Sequence, residues 1–210
     1  MAPSARRWRL HHHQRQEETM ADTEVRTVYY DTPGKQHTSR TLALAKQRAD
    51  DLGISTVRVA TTPGATGVIA TTQFVDQQVI VITHAAGFRE PNSQELTAEN
   101  REAIEAAGGR ILTCQHALGG ISRAVREKWG TYAIDEFVAQ TLRIFGEGTK
   151  VCVEIALMAA DAGLVSVGEP CLAIAGTGRG ADTAVVLTPV NVKSFFDLRV
   201  HEVLAKPRLA

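Results

Sequence analysis

The 210-residue sequence has no excess charge of either sign: 23 Lys and Arg are matched by 23 Asp and Glu. Scattered basic residues and zero net charge exclude the electrostatic footprint of a nucleic-acid or membrane-surface binder, so neither is an expected partner. Cysteine is scarce as well. Cys114, Cys152 and Cys171 are odd in number, far apart and set beside apolar neighbours, which argues against a disulfide frame and for reduced thiols in a cytoplasmic compartment. No apolar run approaches the ~20 residues that cross a bilayer. The opening MAPSARRWRLHHHQRQEETM lacks the apolar stretch of a secretory signal. Its mixture of Arg, His and Gln buries no face, so residues 1–24 are expected to be a disordered extension, with Met20 as an alternative start. His11, His12 and His13 are too few and too local for a metal site, and no metal is expected. Also missing are a CxxC pair, a full GxGxxG fingerprint and any Ser-His-Asp order, so no reaction is declared.

What is present is 44% hydrophobic residues, enough for one sizeable core and too little chain for two ordinary domains. One α/β domain over residues 25–210 is expected. VRTVYYD (Val25 to Asp31) reads as a strand closed by the turn TPGK, and TSRTLALAKQRADDLG places Leu42, Ala45, Ala49 and Leu52 at helical spacing before Gly53. TVRVATT is the next strand, and QVIVITH (Gln78 to His84) is a β-branched run of the kind covered on both faces. The segment NSQELTAENREAIEAAGG supplies another helix, and RILTC a fourth strand; this alternation argues for parallel pairing. GGISRAVREKW is a short helix, and Phe137, Val138, Leu142 and Phe145 form an amphipathic stripe. The almost wholly apolar TKVCVEIALMAADAGL belongs in the interior. The last two strands, CLAIAG and TAVVLTPV, are separated only by TGRGAD. A parallel crossover needs a dozen or more residues, so they must form an antiparallel hairpin. The predicted fold is three-layer α/β, with a mainly parallel sheet and an antiparallel C-terminal hairpin strand.

Two loops carry candidate chemistry. ATTPGATG follows a strand and opens a helix, so its amides and the hydroxyls of Thr61, Thr62 and Thr66 would face an anion at a helix N-terminus. GTGRGADT adds a guanidinium from Arg179; that residue either meets a phosphate or pairs with Asp182, which could instead brace the loop as an Asx turn. Both loops lie at strand C-terminal ends, where open α/β sheets bind ligands. THAAGF brings Thr83 and His84 to the same edge, and TCQHALGG brings His116. Either histidine suits acid–base work or a hydrogen bond to a ligand, or simply caps its strand. Cys114 and His116 lack a third metal ligand. Glu154 and Asp161 lie two turns apart on one face of the apolar helix, as acid–base groups or as carboxylates that cap a loop or bind an arginine.

VRVATTPGATG, VIVITHAAGF, TCQHALGGISRAV, VEIALMAADAGL, AIAGTGRGADTAVVLTP and FFDLRVHEVLAKPR together resemble stand-alone proteins related to the C-terminal α/β domain of pyruvate kinase, over about Val25 to Arg208. In that enzyme the domain is regulatory and holds a sugar bisphosphate. The resemblance implies a phosphate-sized site in which Thr61, Thr62, Gly64, Thr66 and Gly67 match the first loop, and Gly176, Thr177, Gly178 and Gly180 the second. It also points to a homo-oligomer. The catalytic barrel has no counterpart here, so no phosphotransferase activity is expected. TTPGATG replaces a serine-glycine-arginine run, so the effector's identity does not carry over. A mononucleotide such as FMN would fit the same loops with its ring over THAAGF. The expected function is therefore binding of a phosphorylated small molecule. The alternatives are an enzyme using His84, His116 or Glu154 as acid or base, and a scaffold whose glycines serve only turns.

Overall fold

The structure is a computed structural model that describes residues 22–208. The expected N-terminal extension and alternative start therefore lie, up to residue 21, outside the described residues; residues 22–24 are exposed and without regular structure.

The described strands are β1 (Val28–Tyr30), β2 (Thr56–Ala60), β3 (Gln78–Ile82), β4 (Arg110–Leu112), β5 (Cys171–Ala175), β6 (Thr183–Thr188) and β7 (Arg199–Pro207). The helices are α1 (Thr38–Leu52), α2 (Ala65–Gln73), α3 (Ala98–Ala106), α4 (Ile121–Trp129), α5 (Ile134–Arg143) and α6 (Glu147–Asp161). One sheet runs in the order β1-β7-β6-β5-β2-β3-β4. Pairing is parallel except at β6, which is antiparallel to both β5 and β7. The short link between β5 and β6 thus forms the expected hairpin. The strand β7 corrects the expectation that β6 is the last: a further strand inserts between β6 and the edge strand β1. Register shifts between Ala184 and Val185 and between Val186 and Leu187 accommodate it against β6.

Three layers follow from which faces are apolar. Leu42, Ala45 and Ala49 of α1, Ala70 of α2 and Ile104 of α3 pack on Val57, Val59, Val81, Leu172 and Ile174. On the other face Cys152, Ile155, Ala156 and Ala159 of α6 pack on Ile80, Ile82, Cys171, Ala173 and Val185. Covered on both sides, β5 and β6 have no room for polar alternation, hence their unbroken apolar runs. Helix α6 is buried along almost its whole length because α5 closes over it through Ala139, Val153 and Leu157. Where α6 crosses β6, a Cβ on Gly148 would fall 2.1 Å from Thr183 Oγ1, so only glycine permits that approach. Among the described residues, no helix is long and apolar enough to cross a membrane.

Candidate functional site

Strand direction sets the site. In a parallel sheet, a helix that follows a strand starts at that strand's C-terminal end, and a helix that precedes one starts there too. The N-termini of α1, α2 and α6 accordingly converge on one edge of the sheet, around a cleft of about 920 Å³. Those of α2 and α6 bring free amides and the positive ends of their dipoles, whereas a 3-10 turn, Lys35–His37, leads into α1 and already takes the Thr38 amide on Lys35 O. At α2 the cap is Gly64, which supplies no side-chain acceptor, so its first-turn N–H groups remain open. At α6 the cap is Gly146, again without a side-chain bond.

The cleft gathers residues from both loops singled out by sequence. Thr61, Thr62 and Thr66 line it from the β2–α2 turn, and Gly176, Gly178, Arg179 and Gly180 from the β5–β6 hairpin. His84, His116 and Glu154 line it as well. Four expected residues stay off its wall. Gly64 and Gly67 serve packing: a Cβ on Gly64 would meet Asn100 at 2.4 Å, and one on Gly67 would meet Val81 at 2.7 Å. Thr83 ties β3 to β4 through Thr113 Oγ1 at 2.6 Å. Thr177 points its hydroxyl into the protein, where it is buried without a partner. The hydroxyl of Thr61, on the wall, is also buried and unpartnered.

The hairpin loop is braced by Asp182, and of the alternatives for Arg179 the ion pair with Asp182 does not form. Asp182 is fully buried and accepts hydrogen bonds from the Gly34 amide at 2.9 Å, the Thr177 amide at 3.2 Å and the Thr183 hydroxyl at 2.9 Å. With its carboxylate satisfied by inward donors, Arg179 has no acidic partner there and faces the cleft. Two loop glycines meet close contacts, and Gly180 also has a positive φ of +72°. A Cβ on Gly176 would lie 2.3 Å from Gly180 O, and one on Gly180 would lie 2.5 Å from Lys35 Cα. Gly178, with φ +82° and open space around it, is required only for its backbone conformation.

The opposite wall is charged in a way the sequence reading missed. Lys150 reaches the cleft from α6, one turn before Glu154, and the two are buried together with Nζ–Oε2 at 2.5 Å. Glu154 also accepts the Leu118 amide at 3.0 Å and lies 3.9 Å from His116 Nδ1. The same logic that flags a lone carboxylate in an apolar helix would have found its lysine at i−4. Lys35, Arg89, Arg123 and Arg143 complete six cationic side chains on the wall, against the carboxylates of Glu147 and Glu154. Arg143 holds Glu147 at 2.6 Å. Among the described residues, Lys35, Arg123 and Arg179 enter no ion pair.

The histidines form an aromatic corner. His84 Nδ1 donates to Glu95 Oε2 at 2.5 Å, which leaves Nε2 for other work. Phe88 stacks on His116 with centroids 4.9 Å apart, and the Arg123 guanidinium lies 4.6 Å from the Phe88 centroid. Burial pushes the His116 imidazole down to about 4, outweighing the Glu154 carboxylate that would raise it. The neutral ring accepts the Ala85 amide at Nε2, 3.4 Å away. Asp161, by contrast, caps the loop ahead of β7 through the Asn191 side chain and the Val192 amide. Cys114 is half-buried, whereas Cys152 and Cys171 are buried free thiols.

The family described as "Pyruvate kinase, alpha/beta domain" matches residues 39–187. The chain belongs to the pyruvate kinase alpha/beta domain family. This α/β domain therefore has the fold of the kinase's C-terminal part, with both expected loops inside the matched span. The crystal structure of O-ureido-L-serine synthase is similar at 16% identity and a TM-score of 0.29, over 60% of this chain and 48% of that one. The chain spans under half of that protein's length, and a likeness so slight carries no argument.

Proposed function

We propose that this protein binds a phosphorylated small molecule, a sugar phosphate or a mononucleotide such as FMN, in the cleft at the C-terminal edge of the sheet. It acts as a regulatory-type domain. The observation that carries this reading is the convergence on one cavity of three helix N-termini and six cationic side chains, three of them outside any described ion pair. Phosphate would be held by the open α2 amides, the Thr61 and Thr62 hydroxyls and the guanidinium of Arg179. The His84–Phe88 corner would take the organic part. A flavin would bring redox chemistry of its own, with the protein supplying position and charge.

The test is the colour of the purified protein, followed by calorimetry with FMN and sugar phosphates. Arg179→Ala removes one charge-assisted contact worth ~1.5–3 kcal/mol and should weaken the ligand roughly ten- to a hundredfold, with little loss of fold stability. Unchanged affinity for every phosphate tried would overturn the reading and return the loop to the role of a turn.

The buried Lys150–Glu154 pair beside His116 favours a second reading, an enzyme acting on a phosphorylated substrate. His84, oriented by Glu95, is its best-placed base, because its free Nε2 borders the cleft. Loss of turnover with retained binding in His84→Gln would separate this reading from the first.

Self-association belongs to the same proposal, with its surface relocated. Helix α6 is interior and offers no such surface. Ile121, Trp129, Ile134, Phe137, Ile144 and Phe145 on and around α4 and α5 are all exposed. A cluster of this kind marks an interaction surface. A monomeric mass by light scattering at micromolar concentration would remove the idea.

A further inference from the structure

The opposite end of the sheet holds a second cavity of about 380 Å³, bounded by the starts of β2, β3 and β5 and by the loop after α6. Arg58 lines it. This residue stands in the middle of β2, is 1% exposed, and heads the fully buried side chains by volume. Its Nε and Nη1 are sealed from solvent without a hydrogen-bond partner. No described ion pair includes it. The side chain that acts on it is the thiol of Cys171, a weak hydrogen-bonding neighbour that burial pushes up to about 11 and so keeps neutral.

A guanidinium does not lose its proton in a protein, so this charge cannot be neutralised by titration. An isolated buried charge costs many kcal/mol unless something pairs with it. The C-terminal end of α6, whose following residues Gly163 and Leu164 also line the cavity, supplies at most about half an elementary charge. Half-buried Thr56 and the exposed Ser55, Gln78 and Ser166 add neutral polar groups around the space, and the carboxylate of Glu169 is likewise exposed at its margin. Pairing of Thr56 with Gln78 in the β2–β3 ladder puts Thr56, Gln78 and Arg58 on one face, with Gln78 diagonal to Arg58.

We propose that this cavity is a second site, for a small oxyanion, either a carboxylate or inorganic phosphate, whose charge pairs with Arg58. It stands independently of the ligand in the main cleft, since the two cavities share no lining residue.

The experiment is thermal unfolding of the full chain in sodium acetate and in sodium phosphate at constant ionic strength, for the parent, Arg179→Ala, Arg58→Met and Gln78→Glu. In the parent, the effective anion should raise Tm by about 3–6 °C at tenfold its dissociation constant. The part of the rise due to this site should persist in Arg179→Ala and vanish in Arg58→Met, where any phosphate response that is left is that of the main cleft. Without anion, Arg58→Met should melt no lower than the parent, because an apolar side chain replaces an unpaired charge. Should that variant fail to fold, Gln78→Glu decides: its built-in carboxylate should raise Tm without anion and abolish this site's part of the response. A response to acetate that Arg58→Met loses assigns a carboxylate, and a loss in Arg58→Met confined to the phosphate response assigns phosphate. The proposal is overturned if Arg58→Met or Gln78→Glu responds as the parent does, if the response disappears only in Arg179→Ala, or if neither anion moves any of the four proteins.

Discussion

Replacing Glu154 by Gln changes one charge at nearly constant shape, and the structure sets what should follow. The Lys150 and Glu154 side chains are only 7% and 5% exposed, with Nζ–Oε2 at 2.5 Å. Removing one partner of a buried pair costs about 3–5 kcal/mol, because the other charge is stranded. The ammonium and the Leu118 amide bond to different oxygens of the carboxylate, so the single glutamine oxygen keeps one of the two hydrogen bonds and recovers about 1 kcal/mol. A net loss of about 2–4 kcal/mol remains, or about 4–16 °C in Tm for a chain of this size. If the cleft holds phosphate, the stranded ammonium regains a counter-charge when the anion binds, so added phosphate should recover part of the loss. Urea unfolding of both proteins, with and without 10 mM inorganic phosphate (a concentration on the order of ordinary buffers), reads both quantities. A loss below about 1 kcal/mol would mean that Lys150 reaches solvent freely. An equal loss with and without phosphate would mean that Lys150 does not face the anion.

Asp182→Ala strands the Gly34 and Thr177 amides and should cost about 2–4 kcal/mol in a urea titration; a loss as small as that of Arg179→Ala would refute the bracing role. His116 takes its proton near 6.5 when unfolded and only near 4 when folded. The unfolded state therefore binds more protons between those values, and stability should fall by on the order of 3 kcal/mol as pH drops from 6.5 to 4. Urea midpoints of His116→Gln across that window should show a flatter profile, and an unchanged slope would assign the loss to other groups.

The elements legible in the sequence are those whose burial is simple. β3, β5 and β6 are covered on both faces and read as apolar runs, while the short link TGRGAD forces the one reversed pairing. β7 was not legible. It carries Arg199, His201, Glu202 and Lys206, its first half is largely exposed, and two register shifts against β6 break the alternation that marks a strand. The cleft was legible where chemistry coincides with backbone signals, as at Thr61, Thr62, Arg179 and His84. It was not where long side chains converge from distant helices, as with Lys35, Arg123, Arg143 and Lys150. Glycine was the misleading residue type. Gly176 and Gly180 are absent of side chains because the hairpin folds tightly on itself and on Lys35, a demand that exists with or without a ligand.

The insertion of β7 between β6 and β1 bears on where this domain can be cut. The family match covers residues 39–187, yet Gly34 anchors Asp182 and Lys35 lines the cleft from outside that span. A polypeptide trimmed to the matched residues would lose both β1 and β7, and β6 would become an open margin of unpaired amides and carbonyls. Such a margin templates pairing between molecules. The shortest excerpt that keeps the hairpin loop in place therefore runs from before Val28 to beyond Pro207, and a shorter one would assemble strand to strand with its own copies before it could hold any ligand.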